Sequence, residues 1–269
     1  MMKDQRFPNT IRTLEADFRK LGLEEGMTVI VHSSLKSLGW VCGGPAAVVQ
    51  ALMNTVGEEG TLVMPTHSGE LSEPSYWELP PVPEEWWQII RDEMPPFDPK
   101  TTPTRMMGKI VDSFLAFEGT VRSYHPVSSF AAWGKHKDYI TTQHSLEYSF
   151  GEGSPLQKIY NLDGHVLLLG VPYNNNTSLH LAECYAESCY TCEHGSPIIE
   201  EGKRVWKTYV DFIYDIEHFD EIGAEFERKH EVHKGHVGMA NCRLMNQRQL
   251  VDFAVEWLKQ RKEDWQSGS

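Results

Sequence analysis

No stretch of this 269-residue chain is long and apolar enough to span a membrane, and its amino end, Met1-Met2-Lys3-Asp4-Gln5-Arg6, lacks the apolar segment of a secretory signal. Both absences point to a cytoplasmic protein with no membrane partner. Cysteine is sparse. Cys42, Cys184, Cys189, Cys192 and Cys242 are odd in number and scattered, which argues against a disulfide framework and suits a reducing compartment. Basic charge is also in deficit: 25 Lys and Arg stand against 38 Asp and Glu, a net charge of -13. Neutralising a run of phosphates needs a basic face, so nucleic acid is a poor partner and a cationic one is favoured. Acidic residues gather at Glu70, Glu73, Glu78, Glu84 and Glu85, and again at Asp211, Asp215, Glu217, Asp220 and Glu221, although such charges also simply solvate a surface. There is no internal repeat, no low-complexity linker, no Gly-x-Gly-x-x-Gly and no Gly-Lys-Ser/Thr phosphate loop. What remains is a chain of ordinary α/β enzyme length, able to bury a sizeable core as one domain.

The most informative stretch is Asn174-Asn175-Asn176-Thr177-Ser178-Leu179-His180-Leu181-Ala182-Glu183, which follows the apolar run Val166-Leu167-Leu168-Leu169-Gly170-Val171. The run reads as a buried strand, and the polar turn after it as a helix start capped by Asn176 or Thr177. His180 and Glu183 then share one helical face within the first two turns. A carboxylate that orients an imidazole is how a general base is built, and a helix-surface ion pair is the plain alternative. Near the amino end, Thr28-Val29-Ile30-Val31 is a β-branched strand leading into His32-Ser33-Ser34-Leu35-Lys36-Ser37-Leu38-Gly39, then Gly43-Gly44-Pro45 opening a helix on Val48, Val49, Leu52 and Met53. With the strand Gly60-Thr61-Leu62-Val63-Met64-Pro65-Thr66, this makes either a cradle for a phosphorylated ligand or an ordinary turn. Helices are also expected at 11–22, 105–117 and 247–259. Between them, residues 70–104 are rich in Pro, Trp and Glu, with Trp77, Trp86 and Trp87. A long loop in a compact domain is usually functional, so this one reads as a lid carrying a short helix at best.

Six blocks occur in a fixed order along nearly the whole chain: residues 32–39 with Gly43 and Gly44; residues 60–66; Pro95-Pro96-Phe97-Asp98 leading to Thr102-Pro103-Thr104-Arg105-Met106-Met107-Gly108; Arg122-Ser123-Tyr124-His125-Pro126 with Ser129-Phe130-Ala131-Ala132-Trp133-Gly134; Gly153-Ser154-Pro155-Leu156; and residues 177–183. Together they resemble the aminoglycoside 3-N-acetyltransferase family of antibiotic acetyltransferases. Residues 68–99 and the tail after Cys189 depart from the pattern and mark a divergent branch. The resemblance implies a single α/β domain over 1–269, with helices layered around a mixed central sheet, distinct from the GNAT acetyltransferases, and a lid or insertion at 68–104. It also implies acetyl-CoA as cosubstrate and a cationic, aminoglycoside-like small molecule as acceptor.

The mechanism expected on this basis is direct attack of an amine on the thioester. His180 takes the proton, Glu183 orients the ring, and Thr66 donates to the tetrahedral oxyanion. By resemblance, Ser33, Ser34, Lys36, Ser37, Ser123, His125, Ser128 and Phe130 hold the coenzyme. Trp77, Asp211 and Glu217 are the candidates for acceptor recognition. No metal is expected: Cys189-Tyr190-Thr191-Cys192 with His194 is a single Cys-x-x-Cys, and His230, His233 and His236 complete no His-Glu-x-x-His pattern. His67 and His165 read as structural. The rivals are a covalent route through Cys184, four residues after His180 on the same helical face; a metal-dependent hydrolase; and a non-catalytic coenzyme A or polyamine-binding protein.

Overall fold

A computed structural model describes residues 5–188 and 190–267. The chain opens with α1 (Ile11–Leu21), whose start is closed by a reciprocal pair between Thr10 and Thr13. Its buried stripe is Leu14, Phe18 and Leu21, spaced 4 and 3 residues apart, and Arg19 and Lys20 sit in the last turn, where cations meet the helix carbonyls. Next come β1 (Thr28–Ser33), α2 (Gly44–Val56) with Pro45 in its first turn, and β2 (Thr61–Pro65). The middle of the chain supplies α3 (Trp87–Glu93), α4 (Lys109–Leu115), β3 (Val121–Arg122), β4 (Phe130–Gly134), α5 (Lys137–Thr141) and α6 (Pro155–Asn161). Then follow β5 (His165–Leu169), α7 (Ser178–Ala186), β6 (Thr191–Glu200), β7 (Lys203–Phe212), α8 (Phe219–Lys229), β8 (His233–Val237), β9 (Ala240–Asn246) and α9 (Gln247–Ser267).

Seven strands form one mixed sheet in the order β3-β4-β2-β1-β5-β9-β8. β1 is parallel to both β2 and β5, and the outer pairings β2–β4, β3–β4, β5–β9 and β8–β9 are antiparallel. The central strands are buried on both faces, which is why they read as unbroken apolar runs without alternation. On one face Val29, Val31, Leu62, Met64, Leu167 and Leu169 pack against α1, α2 and α4. On the other, Ile30, Val63, Val166 and Leu168 pack against residues of α5 to α9. The expected fold class, helices around a mixed sheet, is what is observed. Among the described residues no helix is long and apolar enough to cross a membrane.

Several elements differ from expectation. The helix expected over 105–117 is trimmed to α4 because Met106 and Gly108 have positive φ, 58° and 89°, which breaks the helical path before Lys109. The closing helix runs longer than 247–259. The hairpin β6–β7 forms a separate two-stranded sheet around Glu201-Gly202, both at positive φ as a type I′ turn requires. The segment 70–104 is tied to this hairpin: Phe97 N donates to the Pro197 carbonyl at 3.0 Å, Tyr76 Oη to the Glu193 carbonyl at 3.0 Å, and Arg204 Nε to the Met94 carbonyl at 3.0 Å.

Candidate active site

β1 and β5 are adjacent and parallel, yet the chain leaving β1 turns into α2 on one face of the sheet, whereas the chain leaving β5 turns into α7 on the other. Such a switch point opens a crevice beyond the carboxyl ends of the strands, the usual ligand position in an open α/β sheet. A cleft of about 110 Å³ lies there, lined by His32, Ser33, Pro65, His67, Asn175 and Thr177, with Met106 and Met107 on its far wall. Gly170 shapes the connection. At φ 72° it lets the chain pass close enough for Ser37 Oγ to donate to its carbonyl at 3.0 Å, and a Cβ there would sit 2.5 Å from Ser37 Cβ.

α7 carries the His180–Glu183 pair. Its first turn is satisfied by Asn176, whose Oδ1 accepts from Ser178 N at 3.1 Å. Thr177 makes no side-chain cap, and its hydroxyl lies 3.5 Å from His32 Nε2. One turn on, His180 Nδ1 is 2.6 Å from Glu183 Oε2, with the two residues 8% and 5% exposed. A buried carboxylate at that distance accepts a hydrogen bond, so Nδ1 carries the proton and Nε2 is left with its lone pair. Nε2 makes no hydrogen bond among the described residues and, unlike the Ser33 hydroxyl and His67 Nε2, is not sealed from solvent. The ring stacks on Phe150 at 5.1 Å and 10°, with Tyr214 and Phe219 each at 4.9 Å. The imidazole is therefore held by packing on three sides, near His32 and His67 of the cleft lining. A lone pair in a fixed direction within an apolar cage can accept a proton from a bound nucleophile.

Two further histidines meet this centre. His32 and His67 are both pushed down to about 3, chiefly by burial and then by repulsion that protonated rings would feel from the nearby His180. Both rings are neutral at physiological pH. His67 packs edge-on to Phe130 at 5.4 Å and tilted against Phe150 at 5.4 Å, while Arg105 N donates to its carbonyl at 2.8 Å. The structural role expected for His67 is thus incomplete, because its side chain also walls the cleft. His32, Thr177, Phe150 and Tyr214 were not singled out for the site, and only the place of His32 directly before the Ser-Ser pair could have signalled it.

The expected oxyanion donor requires a correction. Thr66 is fully buried, its Oγ1 lies 3.0 Å from Ser129 Oγ and accepts from Arg122 Nε at 3.2 Å, so the hydroxyl is committed to the scaffold. Of the residues expected around the coenzyme, Ser33 lines the cleft. Ser34 and Ser37 bond each other at 3.0 Å nearby, and Lys36 is exposed on the turn Leu35–Leu38. The other four are corrected as well. Ser123 bonds His144 at 3.0 Å, His125 Nδ1 accepts from Val127 N and Ser128 N, Ser128 Oγ accepts from Ser149 Oγ, and Phe130 is fully buried. They are interior groups with protein partners and shape the cleft from behind.

The acceptor candidates lie apart. Trp77 lines a largely apolar cleft of about 600 Å³ with Leu71 and Arg105, and its Nε1 donates to Ser72 Oγ at 2.9 Å. Asp211 is 5% exposed, and its Oδ1 accepts from Ser149 N, Phe212 N and Tyr214 Oη. That oxygen is occupied and organises the loop beneath Phe150. Glu217 is exposed in the turn before α8. Cys184 Sγ faces Tyr214 Oη at 3.9 Å. Cys192 Sγ is 3.1 Å from His194 Nε2, while Cys189 lies outside the described residues. His230 stacks on Phe226, whereas His233 and His236 are three apart on β8 and so point to opposite faces. Among the described residues no group of three or more His, Cys, Asp or Glu side chains is placed to hold a metal.

Comparison with known proteins gives one answer. The family model described as aminoglycoside 3-N-acetyltransferase matches residues 30–259. The SPbeta prophage-derived aminoglycoside N(3')-acetyltransferase-like protein YokD of Bacillus subtilis (strain 168) is 50% identical over 96% of this chain and 95% of its own. A crystal structure of the YokD protein from Bacillus subtilis superposes with a TM-score of 0.95, at 49% identity over 97% of each chain. Aminoglycoside N(3)-acetyltransferase III of Pseudomonas aeruginosa is 32% identical over 97% of both chains. A structure described as AAC-IIIb binary with CoASH matches with a TM-score of 0.84, at 28% identity over 95% of this chain and 98% of that one.

Proposed function

The chain belongs to the aminoglycoside 3-N-acetyltransferase family and is an acetyl-CoA-dependent N-acetyltransferase, and we propose that it acetylates an amine of an aminoglycoside-like cation by direct attack, with His180 as the general base. The observation that carries this reading is the 2.6 Å contact between His180 Nδ1 and Glu183 Oε2, which leaves Nε2 basic and unpaired within an aromatic cage. His180 takes a proton from the attacking amine as the C–N bond forms. The carbonyl electron pair moves to oxygen. Collapse of the tetrahedral adduct breaks the C–S bond, and the proton leaves with the coenzyme thiolate. Glu183 stabilises the imidazolium while it lasts.

On this reading the cleft at the ends of β1, β2 and β5 takes the pantetheine arm, with Ser33, Ser34 and Ser37 along its side and Lys36 meeting the coenzyme phosphates at the surface. Trp77 and Glu217 belong to the acceptor side, whereas Asp211, buried and bonded to Ser149, Phe212 and Tyr214, supports the loop beneath Phe150. The excess of acidic residues, 38 against 25 basic, favours a polyamine acceptor. We read residues 1–269 as one domain, in which 68–104 forms a wall over the acceptor and closes on it. A covalent route through Cys184 is less favoured because its sulfur faces the Tyr214 hydroxyl. The test is thiol release from acetyl-CoA across a panel of aminoglycosides and simpler amines, with initial-rate kinetics. Intersecting double-reciprocal lines are expected; parallel, ping-pong lines would refute direct attack, and no turnover with any amine would refute the acceptor class.

A further inference from the structure

The end of β7 and the turn after it take three consecutive backbone N–H groups from the loop before α6. Tyr148 N donates to the Val210 carbonyl at 3.2 Å, Ser149 N to Asp211 Oδ1 at 3.0 Å, and Phe150 N to Tyr214 Oη at 3.2 Å. The loop is thereby fixed residue by residue. The Tyr214 hydroxyl is fixed in turn, because it donates its single proton to Asp211 Oδ1 at 2.9 Å and so presents a lone pair to Phe150 N. Asp211 is 5% exposed, and its hydrogen-bond partners among the described residues are two backbone N–H groups and this phenol, none of them a cation. Burying a carboxylate without a cation is costly, so its presence calls for a reason beyond packing.

The same groups meet at His180. Phe150 lies flat against its ring at 5.1 Å and 10°, the Tyr214 ring is 4.9 Å away, and the Phe150 and Tyr214 rings are 4.7 Å apart. We infer that Asp211 and Tyr214 are positioning residues of the base: they set the Phe150 ring against which the His180 imidazole is aimed, and they make its cage receptive to the imidazolium formed during transfer. This inference rests on the transfer reading above and adds two residues that act on the reaction through His180. An aromatic face within about 6 Å of a cation attracts it. A phenol that donates to a carboxylate carries more electron density in its ring than one that does not, so the Asp211 charge reaches His180 through Tyr214. Burial, and then Asp211, pushes the phenol's own pKa up, so Tyr214 keeps its proton and stays a donor. The other groups around the base are Glu183 at 2.6 Å on its own helix, Cys184 with its Sγ 3.9 Å from Tyr214 Oη, Phe219 of α8, and His32 of β1 and His67 after β2, both neutral near pH 7.

Tyr214→Phe keeps the ring and removes the hydroxyl, whereas Asp211→Asn keeps an acceptor oxygen and removes the charge. Both are compared with the parent protein through kcat, KM for acetyl-CoA and for an aminoglycoside, the pH profile of kcat, urea midpoints, and the pKa of His180 from imidazole nitrogen NMR, assigned with His180→Gln. Tyr214→Phe is expected to lower kcat about tenfold, short of the 10²-fold that a full misplacement near the chemistry can cost, with both KM values changed by no more than about twofold. In each variant the imidazolium loses a stabilising neighbour, so the His180 pKa should fall by about half a unit or more and the acidic limb of kcat should move to lower pH. The inference is overturned if the His180 pKa and the acidic limb match the parent in both variants, even where urea midpoints fall, since a purely structural role gives that result. It is also overturned if KM for the aminoglycoside rises while kcat holds, which would make Asp211 an acceptor contact. Should Asp211→Asn not fold, Tyr214→Phe carries the test. Full turnover by His180→Gln would remove the base assignment and this inference with it, whereas an inactive His180→Gln beside unaltered Tyr214 and Asp211 variants would remove the inference alone.

Discussion

Replacing His180 separates its chemical role from its structural one, because the structure assigns a magnitude to each. Loss of a general base commonly slows the reaction by about two to four orders of magnitude, which corresponds to roughly 3–5.5 kcal/mol of barrier. In His180→Ala the Glu183 carboxylate, 5% exposed, also loses its partner at 2.6 Å, and Phe150 loses the face it stacks on. A lost hydrogen bond to a charged group together with a ring-sized void should cost about 2–4 kcal/mol, enough to lower the melting temperature by roughly 5–15 °C in a chain of this size. His180→Gln keeps most of the volume and an N–H donor for Glu183 but has no basic nitrogen. The expected pattern is equal loss of turnover in both variants, with most of the thermal stability kept only by His180→Gln. Coenzyme A affinity should change little in either, since the ring is not among the residues that line the cleft. Thiol release is followed well below the melting temperature, alongside circular dichroism and calorimetric titration of coenzyme A. Turnover of folded His180→Gln within threefold of the parent would falsify the mechanism.

Glu183→Gln is expected to reduce kcat less than His180→Ala, by about one to two orders of magnitude, because the amide can still hold the ring but cannot stabilise the imidazolium; single-turnover rates check this. Lys36→Ala should weaken coenzyme A binding several-fold at low salt and much less at high salt, since an exposed ammonium acts on phosphates through a screened field; equal affinity in both conditions would remove Lys36 from the site. His32, His67 and His125 titrate at about 3 when folded and near 6.5 when unfolded, and His144 is also held well below its usual range, in each case chiefly by burial. The unfolded chain therefore binds protons first as acid is added, so their stabilising contribution is complete above about pH 6.5 and is lost progressively down towards pH 3. By pH 5 each of the three has lost about 2 kcal/mol, and urea midpoints measured at pH 7.5, 6 and 5 should fall steeply; a flat profile would contradict it. Arg122→Met should destabilise by about 3–5 kcal/mol in urea, because the half-buried guanidinium donates to Thr66, Ser68, Thr102 and Ser129 and no apolar side chain can satisfy those oxygens.

The legible parts of this chain are those where a local period coincides with a buried face. α1 and the three central strands were readable because apolar spacing and burial agree. His180 and Glu183 stood out because a spacing of three on a helix fixes a contact before any tertiary information is known. The strand ends obey a different rule. Neighbouring residues there face opposite ways, so a shift of one position decides which side chain meets the ligand, and the run Pro65-Thr66-His67 offered both a hydroxyl and an imidazole. Thr66 turns to Ser129 and Arg122, and His67 to the cleft. Composition could not settle that choice.

The final third of the chain hid its strands for another reason. β8, His233–Val237, is an edge strand carrying His, Lys and Gly, residues that deter edge pairing but also erase the apolar alternation by which a strand is recognised. Its histidines had to be weighed as ligands, and were set aside for lack of a metal pattern, because their pairing with β9 was invisible. β6 and β7 carry their buried patch in the middle, where Gly195, Ser196, Pro197 and Ile198 are covered, and part of that cover comes from the segment 70–104, some hundred residues earlier. The same long-range docking explains how a segment without core periodicity is ordered. Phe97 is buried beneath the Arg122 guanidinium at 5.0 Å, and that guanidinium also grips Thr66 and Ser68 on either side of His67. One arginine thus joins the segment 70–104 to the loop that carries His67, so that on the proposed reading a movement of this segment over an acceptor would reach the ring through Arg122.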